Sequence, residues 1–124
     1  MTKYNILFVD DMSFYKSLVQ DHLALWDKDC NLIYCTNAKE ATQVLKKTEI
    51  HLVICDMMMP EHSGYDLLKS MRQSKKYKEV PFVVLSANDN KKLILESLKA
   101  GANKYIIKPW SEEELLLTLD ELLS

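Results

Sequence analysis

Short apolar runs alternate along the chain with longer segments whose apolar positions recur at helical spacing. A run too short for a buried helix, followed by an amphipathic segment, is the unit of a parallel sheet with crossover helices, and five such units fit here. Strands are expected at Tyr4 to Val9, Asn31 to Cys35, Leu52 to Cys55, Phe82 to Leu85 and Lys104 to Ile107. The first helix is expected from Ser13 to Trp26, with Phe14, Leu18 and Leu25 as the stripe that packs on the sheet. Asn37 can cap the second helix while Glu40 reaches back to it. Ser111 opens the fifth helix in the same way. Glu112, Glu113 and Glu114 suit the positive end of that helix's dipole, and Leu115, Leu116, Leu119, Leu122 and Leu123 form its buried face. A fourth helix from about Asn90 to Ala100 should end at Gly101 in a left-handed terminating conformation.

Composition narrows the class. The 124 residues, 48% hydrophobic and 27% charged, suit one compact soluble domain spanning residues 1–124 without disulfides or structural metal. The apolar stretch Ile50 to Cys55, interrupted by His51, is far short of the roughly 20 residues of a bilayer helix. The N-terminus lacks a signal-peptide pattern, so the cytoplasm is the expected location. A net charge of −2, from 16 basic and 18 acidic residues, gives no field toward nucleic acid or anionic lipid. Partners are therefore expected to be proteins. Cys30, Cys35 and Cys55 show no zinc-site spacing and read as reduced core thiols. His22, His51 and His62 share no metal-ligand spacing either. Met57, Met58 and Met59 read as thioethers filling a loop, and Lys75, Lys76 and Lys78 as a solvated helix end.

The candidate chemistry lies at the carboxyl ends of the strands. Asp10 and Asp11 follow the first, Asp56 the third, Ser86 the fourth and Lys108 the fifth, and this edge is where a parallel sheet binds ligands. Carboxylates about 4 Å apart repel by roughly 4 kcal/mol at an effective dielectric near 20, so the cluster needs compensating cations. Lys108 supplies one positive charge. All-oxygen ligands with room for water suit Mg²⁺, which pairs naturally with phosphate oxygens. Phosphoryl transfer is the reaction class that follows, with Ser86 able to donate to a phosphate oxygen.

With these residues in order, the chain resembles the receiver domain of two-component response regulators. The matching features are Asp10-Asp11, Asp56, the Met59-Pro60 and Gly64 spacing, Ser86-Ala87 and Lys108-Pro109. The resemblance implies a doubly wound α/β fold, flavodoxin-like, with five parallel strands in order 2-1-3-4-5 and helices on both faces. It implies that Asp56 accepts a phosphoryl group from a histidine kinase phosphohistidine. It also implies Mg²⁺ held by Asp11, Asp56 and the Met58 carbonyl, with Asp10 acting through water, and Lys108 and Ser86 on the phosphoryl oxygens. Ser86 and Tyr105 would be the switch, the surface of the fourth helix, fifth strand and fifth helix the output face, and Lys108-Pro109 a cis peptide. The implied partners are a sensor kinase or phosphotransfer protein and an output domain or partner protein. No output domain lies within these residues.

Some positions depart from the commonest family pattern. Met58 and Asn88 stand where residues influence water attack on the phosphoryl group, and an apolar Met58 points to slow self-dephosphorylation rather than enzymatic turnover. The stretch Ala102 to Tyr105 lacks an acidic pair common in charge-paired dimers, which weakens the case for a homodimer of that kind. Trp110 replaces a more frequent phenylalanine and is expected to pack. Competing readings are a haloacid-dehalogenase-like phosphatase, a flavodoxin-like FMN carrier and a phosphorylation-independent interaction module. The first needs a second acid where Met58 stands. The second needs a phosphate loop where Asp10 and Asp11 would repel the ligand. The third leaves the full set of acids and the lysine unexplained.

Overall fold

The computed structural model describes residues 3–59 and 64–123. Pro60 and His62 lie outside the described residues. The elements run β1 (Tyr4–Val9), α1 (Ser13–Ala24), β2 (Cys30–Cys35), α2 (Ala38–Lys47), β3 (Leu52–Cys55), α3 (Gly64–Arg72), β4 (Phe82–Ser86), α4 (Lys91–Lys99), β5 (Lys104–Ile107) and α5 (Glu112–Leu123). All strand pairings are parallel, and the order is β2-β1-β3-β4-β5. The fold is therefore the expected doubly wound sheet, with strand ends within a residue of their predicted positions.

Alternation of side chains across each strand divides the core into two layers. Leu7, Val9, Val53, Cys55 and Val84 pack with α2 and α3 residues such as Ala41, Leu45, Leu67 and Met71. Ile6, Phe8, Leu52, Ile54, Val83, Leu85 and Ile106 pack on the other face with Val19, Leu23, Leu115 and Leu119 of α1 and α5. The expected N-cap side chains of α2 and α5 each accept a backbone amide, which is the half of the capping box that forms. Asn37 Oδ1 accepts the Glu40 amide at 2.7 Å, and Ser111 Oγ accepts the Glu114 amide at 3.0 Å. Gly101 adopts φ 117°, and Lys108–Pro109 is cis.

The apolar stripe of α1 is not the expected one. Phe14 and Leu25 are 69% and 67% exposed, whereas Val19, Leu23 and Trp26 are buried. The helix also ends two residues earlier than predicted, at Ala24. Its apolar residues occupy two faces, so helical periodicity admits two orientations, and packing on the sheet selects the one holding Tyr15, Leu18 and Val19. The lysine cluster needs a similar correction. The last turn of α3 carries Lys69 and Arg72, while Lys75, Lys76 and Lys78 are exposed beyond its end. Trp110 is buried, as its packing role requires, and so are Met57 and Met59, leaving Met58 exposed.

Candidate functional site at the carboxyl edge

Three main-chain hydrogen bonds carry the sheet ladders one residue past the strands and so set the site. Asp10 N–H donates to the Cys35 carbonyl at 3.1 Å, Asp56 N–H to Val9 at 2.9 Å and Lys108 N–H to Ser86 at 2.9 Å. Residues far apart in the chain are thereby locked at one edge. Asp10 has no exposed surface, and Asp56 and Lys108 are only 7% and 8% exposed.

The two buried carboxylates are bound alike. Asp10 Oδ1 accepts the Met12 amide at 2.9 Å, and Asp56 Oδ1 accepts the Met58 amide at 2.9 Å, each a local turn closed by the acid itself. Their second oxygens converge on Lys108 Nζ, at 2.6 Å from Asp10 and 3.2 Å from Asp56. Asp11 stands exposed at the rim. One ligand oxygen from each of Asp10, Asp11 and Asp56 lies within 4.8 Å of the others, a spacing that a single small cation can span.

Charge in this cluster is unbalanced. Burial pushes the Asp10 carboxyl above its ordinary range, with the field of Asp56 adding, and the Lys108 contact only partly offsets this. Burial likewise disfavours the Lys108 ammonium, but its contacts with Asp10 and Asp56 outweigh that, and its pKa is raised. The rise at Lys108 comes from two acids on one cation, and the rise at Asp10 from burial first, with Asp56 beside it and only one lysine shared between them. The donor set and the deficit both fit a hard divalent ion.

Ser86 is buried at the end of β4, and its Oγ accepts the Asn88 amide at 3.2 Å. Tyr105, half-buried on β5, donates its hydroxyl to the Asn88 carbonyl at 2.7 Å, so both candidate switch residues are tied to the loop after β4. Burial raises the Tyr105 pKa, partly offset by the Ser86 hydroxyl, with Asp56 and Asp89 adding to the rise. Gly64 is fixed by close approach: a Cβ there would lie 2.6 Å from the Asp56 carbonyl oxygen and 2.7 Å from Cys55 Sγ.

Two site neighbours were missed from sequence. The Tyr34 hydroxyl donates to the Asp10 carbonyl at 2.7 Å, and Lys108 Nζ lies 3.9 Å from the centroid of the Tyr15 ring. The position of Tyr34 beside Phe8 in the parallel register, one residue before the end of β2, was the available signal for the first. The second needed the orientation of α1. Neither His22 nor His51 approaches the acids: His22 Nδ1 accepts from Trp110 Nε1, and His51 Nδ1 accepts the Asn5 amide.

The fold and the site thus combine a strand-end acid triad and a buried lysine at the carboxyl edge of a doubly wound parallel sheet. Residues 6–120 match the model of the response regulator receiver domain, and the chain belongs to that family. It is 32% identical over 119 residues to a chemotaxis protein CheY homolog of Campylobacter jejuni, covering 95% of this chain and 91% of that one. The structure of the chemotaxis response regulator CheY4 of Vibrio cholerae superposes with a TM-score of 0.87 at 26% identity, covering 98% of this chain and 99% of that one. The receiver domain of the sensor histidine kinase PA1611 of Pseudomonas aeruginosa, described with a magnesium ion coordinated in its active-site cleft, shares the fold at 21% identity with a TM-score of 0.86, covering 98% of each chain. Among the described residues no helix is long and apolar enough to cross a membrane.

Proposed function

We propose that this chain is a phosphoacceptor switch, with Asp56 taking a phosphoryl group from the phosphohistidine of a sensor histidine kinase or phosphotransfer protein. One Asp56 carboxylate oxygen attacks phosphorus, the P–N bond breaks and the imidazole leaves with that electron pair. Lys108 carries this reading: it is the buried cation shared by Asp10 and Asp56, and so stands beside the acceptor with a charge that a phosphoryl group can use. Asp11, Asp56 and the Met58 carbonyl would hold Mg²⁺, with Asp10 acting through water. The ion supplies charge neutralisation for the equatorial oxygens of the transferring group. Lys108 and the Ser86 hydroxyl then contact the phosphoryl oxygens.

Phosphorylation adds roughly −1.5 to −2 charge beside the loop after β4. Ser86 and Tyr105 are both hydrogen-bonded to that loop, which supports them as the switch coupling Asp56 to an α4–β5–α5 output surface. The exposed Met58 side chain has no group with which to orient a hydrolytic water, which supports slow self-dephosphorylation. The protein would work in the cytoplasm, controlling an output domain or partner protein rather than contacting DNA. The test is treatment with acetyl phosphate and Mg²⁺, followed by mass spectrometry. Phosphoryl gain in the parent chain and none in Asp56→Asn is expected; gain retained by Asp56→Asn overturns the acceptor, and no gain in the parent overturns the function.

A further inference from the structure

The Lys108 ammonium has three N–H donors. Asp10 and Asp56 account for two of them. A further close neighbour of the nitrogen is the Tyr15 ring, 3.9 Å away at its centroid. Other lysine–tyrosine approaches among the described residues are 5.2–5.6 Å and involve exposed lysines. A desolvated cation this close to a ring face is attracted by the negative face of its quadrupole.

The ring also packs against other aromatic side chains. Trp110 lies tilted against it with centroids 5.8 Å apart, and Phe14 meets it edge-on at 5.2 Å. Trp110 is buried and donates its Nε1–H to His22 Nδ1 at 3.1 Å. Tyr15 itself sits in the first turn of α1, directly after the loop bearing Asp10 and Asp11. The helix that follows the acidic loop thus also delivers an aromatic face to the lysine between the acids.

A lysine side chain is flexible, and added charge on Asp56 alters the balance of its two carboxylate contacts. We propose that Tyr15 is a positioning residue for Lys108, its ring face holding the ammonium between Asp10 and Asp56 so that the cation is in place when phosphoryl transfer occurs. The inference rests on the phosphoacceptor function proposed above. It differs from plain packing in what substitutions do: phenylalanine keeps the ring face, while leucine keeps apolar bulk without a quadrupole.

Tyr15→Phe and Tyr15→Leu are compared with the parent chain in acetyl phosphate and Mg²⁺, following phosphoryl gain by mass. Tyr15→Phe is expected within about twofold of the parent rate and Tyr15→Leu about fivefold slower or more, the scale of a lost desolvated cation–π contact. Proton NMR gives a readout independent of the reaction. The Lys108 ε-methylene protons, adjacent to Nζ, should be shifted upfield by the ring current in the parent and in Tyr15→Phe, and return to ordinary lysine positions in Tyr15→Leu. Tyr15→Met provides a second ring-free variant should the leucine form fail to fold. Equal rates for the ring-bearing and ring-free variants, or Lys108 resonances indifferent to the ring, overturn the proposal. Absence of phosphoryl gain in the parent chain refutes the function instead, and the ring-current signature alone then decides the placement of Lys108.

Discussion

At the amino edge of the sheet Arg72 spreads its guanidinium over neutral oxygens, those of Tyr77, Lys78, Val80, Gly101 and the Asn103 side chain, at 2.9–3.2 Å. At the carboxyl edge Lys108 meets two carboxylates whose combined charge exceeds its own. Both cations tie segments distant in sequence, but the first network is satisfied within itself and the second is left with an excess of negative charge. Burial lowers the Arg72 pKa without any partner gaining or losing a proton in response. A closed network fixes geometry, whereas an unbalanced one responds when charge is added. One edge thus serves as frame, and the other carries the uncompensated charge that the proposed phosphoacceptor function would use as a sensor.

The comparison can be broken most directly at Lys108. Lys108→Met strands two buried acids and should destabilise the metal-free protein by about 3–5 kcal/mol at neutral pH, the usual cost of removing one member of a buried pair. Mg²⁺ should restore part of this loss, since it supplies the missing charge. Urea unfolding with and without Mg²⁺ measures both quantities. Arg72→Ala comes next. It leaves several carbonyls and Asn103 Oδ1 without their donor, although Asn103 Oδ1 retains the Phe82 amide at 2.8 Å, and should cost roughly 3 kcal/mol. Its loss should be the same with and without Mg²⁺, and a metal-dependent loss would mean that the two edges are not separate.

The acidic edge was the more legible of the two in the sequence. Asp10, Asp56, Ser86 and Lys108 each follow a short apolar run, and a parallel sheet brings such ends together whatever their distance along the chain. Arg72 left no comparable mark, because its acceptors are mostly backbone carbonyls and any residue type supplies those. The aromatic surround was hidden for another reason. Phe14 and Leu25 fit a helical stripe as well as Tyr15, Val19 and Leu23 do, and only tertiary packing decided which face of α1 meets the sheet. The central strands β1, β3 and β4, buried on both faces over most of their length, offered no such choice.

Metal and pH act on the imbalance without mutation. Mg²⁺ at about ten times its dissociation constant should stabilise the parent chain by about 1.4 kcal/mol, read as a rise in Tm. The pH dependence has a defined sign. The Asp10 pKa is raised in the folded state, so between 3.8 and that higher value the folded protein holds a proton the unfolded chain has released. Stability contributed through Asp10 therefore falls as pH rises through this window and stays reduced above it. Lys108 acts at the other end: its folded pKa lies above 10.5, so its contribution is complete below 10.5 and is lost as pH climbs through the folded value. Urea unfolding across the acid window should show the Asp10 slope in metal-free buffer, flattened in Asp10→Asn. A slope of the opposite sign would mean that Lys108 fully neutralises Asp10.

The smallest expected effect tests whether the acidic edge has any frame of its own. The Tyr34 hydroxyl holds the Asp10 carbonyl through a neutral bond, to a main-chain oxygen like those that Arg72 holds. Tyr34→Phe removes that donor and nothing charged, and should cost about 1 kcal/mol, the net worth of one ordinary hydrogen bond. Because the Asp10 amide still bonds to Cys35 and its carboxylate to Met12 and Lys108, the acid should keep its place. The phosphorylation rate in acetyl phosphate should then stay within about twofold of the parent, since a lost bond of that size touches folded and reacting states alike. A much larger fall in rate, with stability nearly unchanged, would show that the position of the Asp10 backbone is tuned for the reaction and that the responsive edge relies on a neutral latch as much as on its charges.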